Sequence, residues 1–182
     1  INMNRILPVD AQTAEGKSKE ALEKIKAKAG RVPNVFKIMA NAPAIVDMYF
    51  AMNGALAGCK LSSQTRERIA LAVAEDNKCE YCLAAHTAIA KGSGLSENDI
   101  LDARGAKAAD PKEDAIVRFA KKVSSGRGFV TDEDLARIRK AGVTDEEIIE
   151  LIGVVSLNIF TNYLNHIADP VVDFPKQEFL KS

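Results

Sequence analysis

Neither sign of charge predominates in this sequence, in which 25 Lys and Arg stand against 25 Asp and Glu. That balance removes the global field that draws a chain to nucleic acid or anionic lipid, so neither is expected as a partner. Long hydrophobic runs are missing too. Near the most distinctive motif the longest is "IALAVA", Ile69–Ala74, and no membrane span is expected. The opening "INMNRILPVD" has no apolar signal core, so a cytoplasmic location is expected, with Met3 as the natural first residue. Cysteine is scarce: three residues are too few, and odd in number, for a disulfide framework. In a reducing compartment, a close cysteine pair points to chemistry rather than to a staple. Strand signals are also absent, because no segment alternates with period two between hairpin-type turns.

What remains is a succession of helix signals. At 182 residues with 47% hydrophobic content, the chain fits one domain spanning 1–182, able to bury a core without staples. Ser18 and Gly30 bracket "SKEALEKIKAKAG", and Pro33 and Pro43 bracket a short helix before "APAIVDMYFAMNGALAG". Ser62 or Ser63 opens the next segment, and Ser96 opens "SEND". Asp110 precedes Pro111, a residue suited to the first helical position. "TDED" at Thr131 and "TDEE" at Thr144 are capping boxes, the second opening a long final helix to about Ala168. The fold class expected is all-α, about eight to nine helices.

The motif is "NKCEYCLAAHT", Asn77–Thr87, holding two of the three cysteines and one of two histidines. Asn77 and Glu80 have capping-box spacing, which predicts a helix with Cys79 and Cys82 in its first turn. Exposed N–H groups and the positive end of the helix dipole there favour thiolate over thiol. At about 100° per residue, Cys79, Cys82, Leu83, His86, Ile89 and Ala90 share a face, while Glu80, Thr87 and Lys91 point away. His86 follows Cys82 by four residues, the spacing at which helical side chains touch.

The preceding helix contributes a carboxylate. "IALAVA" is apolar all round, which predicts a buried helix, and Glu67 shares the face of Leu71 and Ala74. A carboxylate on such a face is either paired, here with Arg66 or Arg68, or available for proton transfer. Three readings of the motif stand side by side: a redox dithiol, part of a zinc site, and core packing. Structural zinc needs four ligands, and only Cys59 and His166 remain to complete the set, both remote in sequence. A thioredoxin-like pair needs a βαβ context that is missing. Cys59 is expected as a small buried residue, and His166 as either a bond to the final turn or a site member.

Together, "ERIALAVAEDNKCEYCLAAH" resembles the core of the AhpD-like alkylhydroperoxidase family, grouped with carboxymuconolactone decarboxylases. Its redox members carry a Glu, a C-x-x-C twelve residues on, and a His four after the second Cys. Glu67, Cys79, Cys82 and His86 fall on those positions. The resemblance is strong over about 61–92 and extends to the closing "NIFTNYLNHIADPVVDFP". Tyr81 departs from the reductase adaptors that have His before the second Cys, and the decarboxylase branch does not use the cysteine pair. The resemblance implies an all-helical bundle assembling into homotrimers or homohexamers.

It also implies an enzyme: a thiol-dependent peroxidase or disulfide oxidoreductase needing no cofactor and no metal. Its substrate would be a small hydroperoxide and its reductant an external dithiol or protein. In the expected cycle Cys82, beside His86, attacks; Cys79 resolves; and Glu67 and His86 move protons. The alternatives are a carboxymuconolactone-decarboxylase-like lyase on the same scaffold and a metal-stabilised binding protein.

Overall fold

The computed structural model describes residues 4–181, and the reading of Met3 as the first residue lies outside them. Nine helices and no strand occur among the described residues. They are α1 (Gly16–Ala29), α2 (Asn34–Met39), α3 (Pro43–Ala57), α4 (Ser63–Asp76) and α5 (Glu80–Gly92), followed by α6 (Glu97–Arg104), α7 (Pro111–Ser125), α8 (Asp132–Lys140) and α9 (Asp145–Ala168).

Most start signals act as their chemistry dictates. Ser62 Oγ accepts from Thr65 N–H, and Asp110 accepts from the N–H groups of Lys112 and Glu113. Ser96 with Asp99, Thr131 with Asp134 and Thr144 with Glu147 form reciprocal capping boxes. Two expectations fail. Helix α1 starts ahead of Ser18, at Gly16, with no side-chain cap. Asn77 closes α4 instead of opening α5, because Lys78 turns the chain in the left-handed region at φ 54°. Cys79 is therefore the N-cap of α5, its Sγ accepting from Cys82 N–H at 3.3 Å. The side chain of Asn77 instead donates to Asn162 on α9.

Helix α4 lies at the centre, packed against α5, α6, α7 and α9. Its run Ile69–Ala74 is buried on every side. One core cluster joins Ile69 and Val73 to Ile116 and Phe119 of α7 and to Leu151 and Val155 of α9. A second gathers Leu71 and Ala74 with Cys79, Cys82 and Leu83. A third, between α1 and α3, sets Leu22, Ile25 and Val46 against Phe36, Phe50 and Phe160.

The expected absence of any span-like helix is corrected by α9, which is long and apolar enough to cross a membrane, at mean hydropathy 1.3. It serves as a packing helix here: Asn158, Asn162 and Asn165 are buried along it, and one flank lies on α3, α4, α5 and α7. Beyond α9 the chain continues without regular structure and returns to the site as a strap.

Candidate active site

The turn between α4 and α5 determines where the sulfurs lie. Cys79 N–H bonds back to Ala74 O at 2.9 Å, which anchors the cap to the end of α4. Cys79 and Cys82 are joined by a disulfide across 5.3 Å between their Cα atoms, within the usual range for such a bond. Both residues are almost wholly buried. Cys59 stands apart as the free cysteine, half-buried rather than fully buried as expected, with its Sγ 3.9 Å from Arg66 Nη1.

His86 lies one turn beyond Cys82, and its Nδ1 is 2.9 Å from Glu67 Oε2. These side chains are 21% and 16% exposed, sheltered enough for the pair to act as a unit. The arginine partners considered for Glu67 are engaged elsewhere. Arg66 donates to Leu61 O, and Arg68 pairs with Asp99 and Glu113. A carboxylate only accepts, so this contact puts the imidazole proton on Nδ1 and leaves Nε2 as the free nitrogen.

The face expected for α5 is wider than periodicity allowed. Thr87, expected to point away, is buried, and Ile89 is 48% exposed. The reason is that α5 is gripped by α4, α6 and α9 together, so its buried arc is not a single stripe.

Cys82 and His86 both line a cavity of about 490 Å³. Its walls are chiefly apolar and aromatic, with Val35, Phe36, Tyr49, Phe50, Ile89 and Phe174 among them. Burial, with the charge of Glu67 adding to it, pushes the Tyr49 phenol up to about 12. Tyr49 therefore remains a hydroxyl donor throughout the neutral range.

Two contributors escaped the sequence reading. Asn165 Nδ2 approaches Cys82 Sγ at 3.1 Å and Cys79 Sγ at 3.9 Å. An amide donor at that distance stabilises a thiolate when the disulfide opens. The sequence shows only that asparagines recur along a mostly apolar helix, which does not say what they touch. The second contributor is the strap, where Asp173 accepts from Tyr81 O–H at 2.6 Å and from Asn34 N–H at 3.1 Å, and pairs with Arg31 at 2.8 Å. Burial and the Asp173 bond both raise the Tyr81 phenol far above its ordinary range. His166 is exposed and does not line the cavity of Cys82; it borders a separate cleft beside Cys79. Among the described residues, no three of His, Cys, Asp and Glu gather as metal ligands.

Residues 43–123 match the family model described as carboxymuconolactone decarboxylase family. No protein among the curated relatives matches the chain. Solved structures do. An alkylhydroperoxidase AhpD core structure, an uncharacterized peroxidase-related protein from Ralstonia eutropha JMP134, is 25% identical at TM-score 0.80, covering 94% of this chain and 92% of that one. An uncharacterized peroxidase-related protein from Silicibacter sp. TM1040 is 24% identical at TM-score 0.76, covering 96% and 92%. A cysteine-to-alanine variant of the debrominase Bmp8, in complex with 2,3,4-tribromopyrrole, is 17% identical at TM-score 0.77, covering 92% and 91%. The fold is thus that of the AhpD core, and the resemblance read from the Glu, C-x-x-C and His pattern has both a family-model match and structural neighbours behind it.

Proposed function

We propose that this chain is a thiol-dependent peroxidase and disulfide oxidoreductase that cycles Cys79 and Cys82 between dithiol and disulfide. One observation carries the reading: Cys82, bonded to Cys79, and His86, bonded to Glu67, line the same apolar cavity. In the oxidative half, Cys82 thiolate attacks the peroxide oxygen and the O–O bond breaks. His86 Nε2, having taken the Cys82 thiol proton, passes it to the departing alcohol, and Cys82 becomes a sulfenic acid. Cys79 then attacks that sulfur, water departs, and the disulfide forms. An external dithiol returns two electrons and two protons.

Glu67 acts through His86, fixing the tautomer that leaves Nε2 to exchange protons with the cavity. Cys82 is preferred as the attacking sulfur because it lines that cavity and receives the Asn165 amide. Apolar walls suit an organic hydroperoxide better than hydrogen peroxide. The peroxidase-related names of two structural neighbours support the same chemistry.

A second reading, a lyase of the carboxymuconolactone decarboxylase type, is favoured by the description of the matching family. Such an enzyme would survive loss of both cysteines. A metal-stabilised binding protein would carry stoichiometric metal and unfold with chelator. The deciding experiment is peroxide-dependent oxidation of dithiothreitol by the wild type and by Cys82→Ser. Turnover in the first and none in the second is expected. Equal rates would transfer the argument to the lyase.

A further inference from the structure

We propose that the disulfide is reduced from a second cleft, where an alkyl thiol binds and attacks Cys79 while Cys82 leaves. This rests on the redox reading above and adds a separate entrance for the electron donor. The cleft has a volume of about 460 Å³ and is lined by Lys78, Cys79, Glu80, His166 and Asp169. Cys82 and His86 do not line it, and Cys79 does not line the apolar cavity. Each sulfur-bearing residue therefore has its own space.

The partition between the two is built from fixed parts. Tyr81 and Asn165 line both spaces. Along the strap, Val172 faces the cleft and Phe174 the cavity. Between them, Asp173 is held by Tyr81, Arg31 and Asn34. Asn165 Oδ1 is buried without a protein partner, so it is available to accept an S–H.

Three physical arguments assign the donor to this side. A thiolate is charged, and a polar cleft strips less of its hydration than an apolar cavity does. Exchange is faster when the leaving sulfur is the better-stabilised thiolate. Asn165 Nδ2 lies at 3.1 Å from Cys82 against 3.9 Å from Cys79 and so supports the leaving charge on Cys82, while the Cys82 N–H at 3.3 Å polarises Cys79 Sγ for attack. His166, on the cleft, is placed to take the proton of the arriving thiol.

The step balances with a dithiol donor. Its first thiolate bonds to Cys79 Sγ as the Cys79–Cys82 bond breaks and Cys82 departs as thiolate. The second donor sulfur then attacks the first, closing the donor disulfide and releasing Cys79. Two electrons pass to the protein, and the two donor protons end on Cys79 and Cys82.

The test uses protein oxidised with diamide, so no peroxide enters. Brief exposure to 2-mercaptoethanol, acid quench, alkylation and peptide mapping should find the thiol adduct on Cys79 and the alkyl group on Cys82. An excess of about tenfold is expected. An adduct on Cys82, or an even split, overturns the proposal without relying on any variant. As a second measurement, Val172→Trp, which fills the cleft, should slow reduction by dithiothreitol about tenfold more than Ile89→Trp, which fills the cavity. The reverse order also overturns it. Replacing dithiothreitol with a dithiol borne on a small protein separates a free donor from a protein-borne one, and the adduct must fall on Cys79 with whichever reacts. If the exchange pattern holds but peroxide forms no disulfide, the peroxidase reading fails alone. If peroxide works but the adduct lies on Cys82, the second entrance fails alone.

Discussion

Glu67 is flanked in sequence by two arginines and pairs with neither. Its partner is His86, nineteen positions on, reached because α5 folds back along α4. Glu67→Gln keeps the size and most of the hydrogen bonding but removes the charge that holds the imidazole proton on Nδ1. Peroxide turnover should fall about 10²–10⁴-fold, the usual cost of losing acid–base assistance. The melting temperature should stay near that of the wild type. Steady-state kinetics beside a thermal melt separate the outcomes: earlier melting with full turnover would leave Glu67 a structural residue only. The nearness of Cys82 and His86 was legible because helical spacing brings together residues four apart, whereas Glu67 reaches His86 from a second helix and was singled out by its apolar face and by the family resemblance. Asn165 was not, since the contact of its amide with Cys82 spans 83 positions and no local pattern encodes it.

At the scale of elements, the caps hold charges as well as helices. Hydrogen bonds from Ser96 and the Arg68 guanidinium hold the Asp99 carboxyl at about 2. Lys122 and the Thr131 cap do the same for Asp134, also at about 2. Both folded values lie below the unfolded value of about 3.9. Each group therefore contributes stability that is fully present above that pH and lost as pH falls toward about 2. Melting temperature should decline steeply across that window. Asp99→Asn and Asp134→Asn should each flatten the decline while lowering the plateau at neutral pH, as thermal melts from pH 6 to 2 would register. The helix start at Ser96 and the capping boxes at Thr131 and Thr144 were legible because the signal is four residues long. The Asn77 box failed on a backbone property, the left-handed turn at Lys78, which side-chain chemistry does not announce.

For the molecule as a whole, the all-helical fold was legible from capping and period, but the closure of its ends was not. Glu75 and Arg104 form an ion pair at 2.9 Å, 8% and 5% exposed. The same two side chains hold the strap: Glu75 accepts from Leu180 N–H, and Arg104 donates to Glu178 O. Arg104→Met leaves the buried Glu75 carboxylate only the more exposed Lys78, at 3.6 Å, as its cation and should cost up to about 3–5 kcal/mol, while adding Glu75→Leu should recover much of the loss. Denaturant unfolding of both variants would decide it. Helix α9 leaves Ile149, Ile152, Tyr163 and Ile167 exposed along its length, at 70%, 46%, 55% and 63%. We propose that this stripe is covered in a homotrimer or homohexamer. Light scattering should give one of those masses for the wild type and a smaller one for Ile149→Glu with Ile167→Glu. A monomeric wild type at micromolar concentration would refute it.

The strap also has a consequence in time. Synthesis runs from Tyr81 to Asp173, so the hydroxyl emerges 92 residues before the carboxylate that will hold it. The dithiol helix, the residues of its acid–base pair and the α2 and α3 walls of the cavity are thus all made before the strap. On the two-entrance proposal, the Asp173 side of the dividing wall is thus the last to be made, and the thiol pair gains separate approaches only once it is in place.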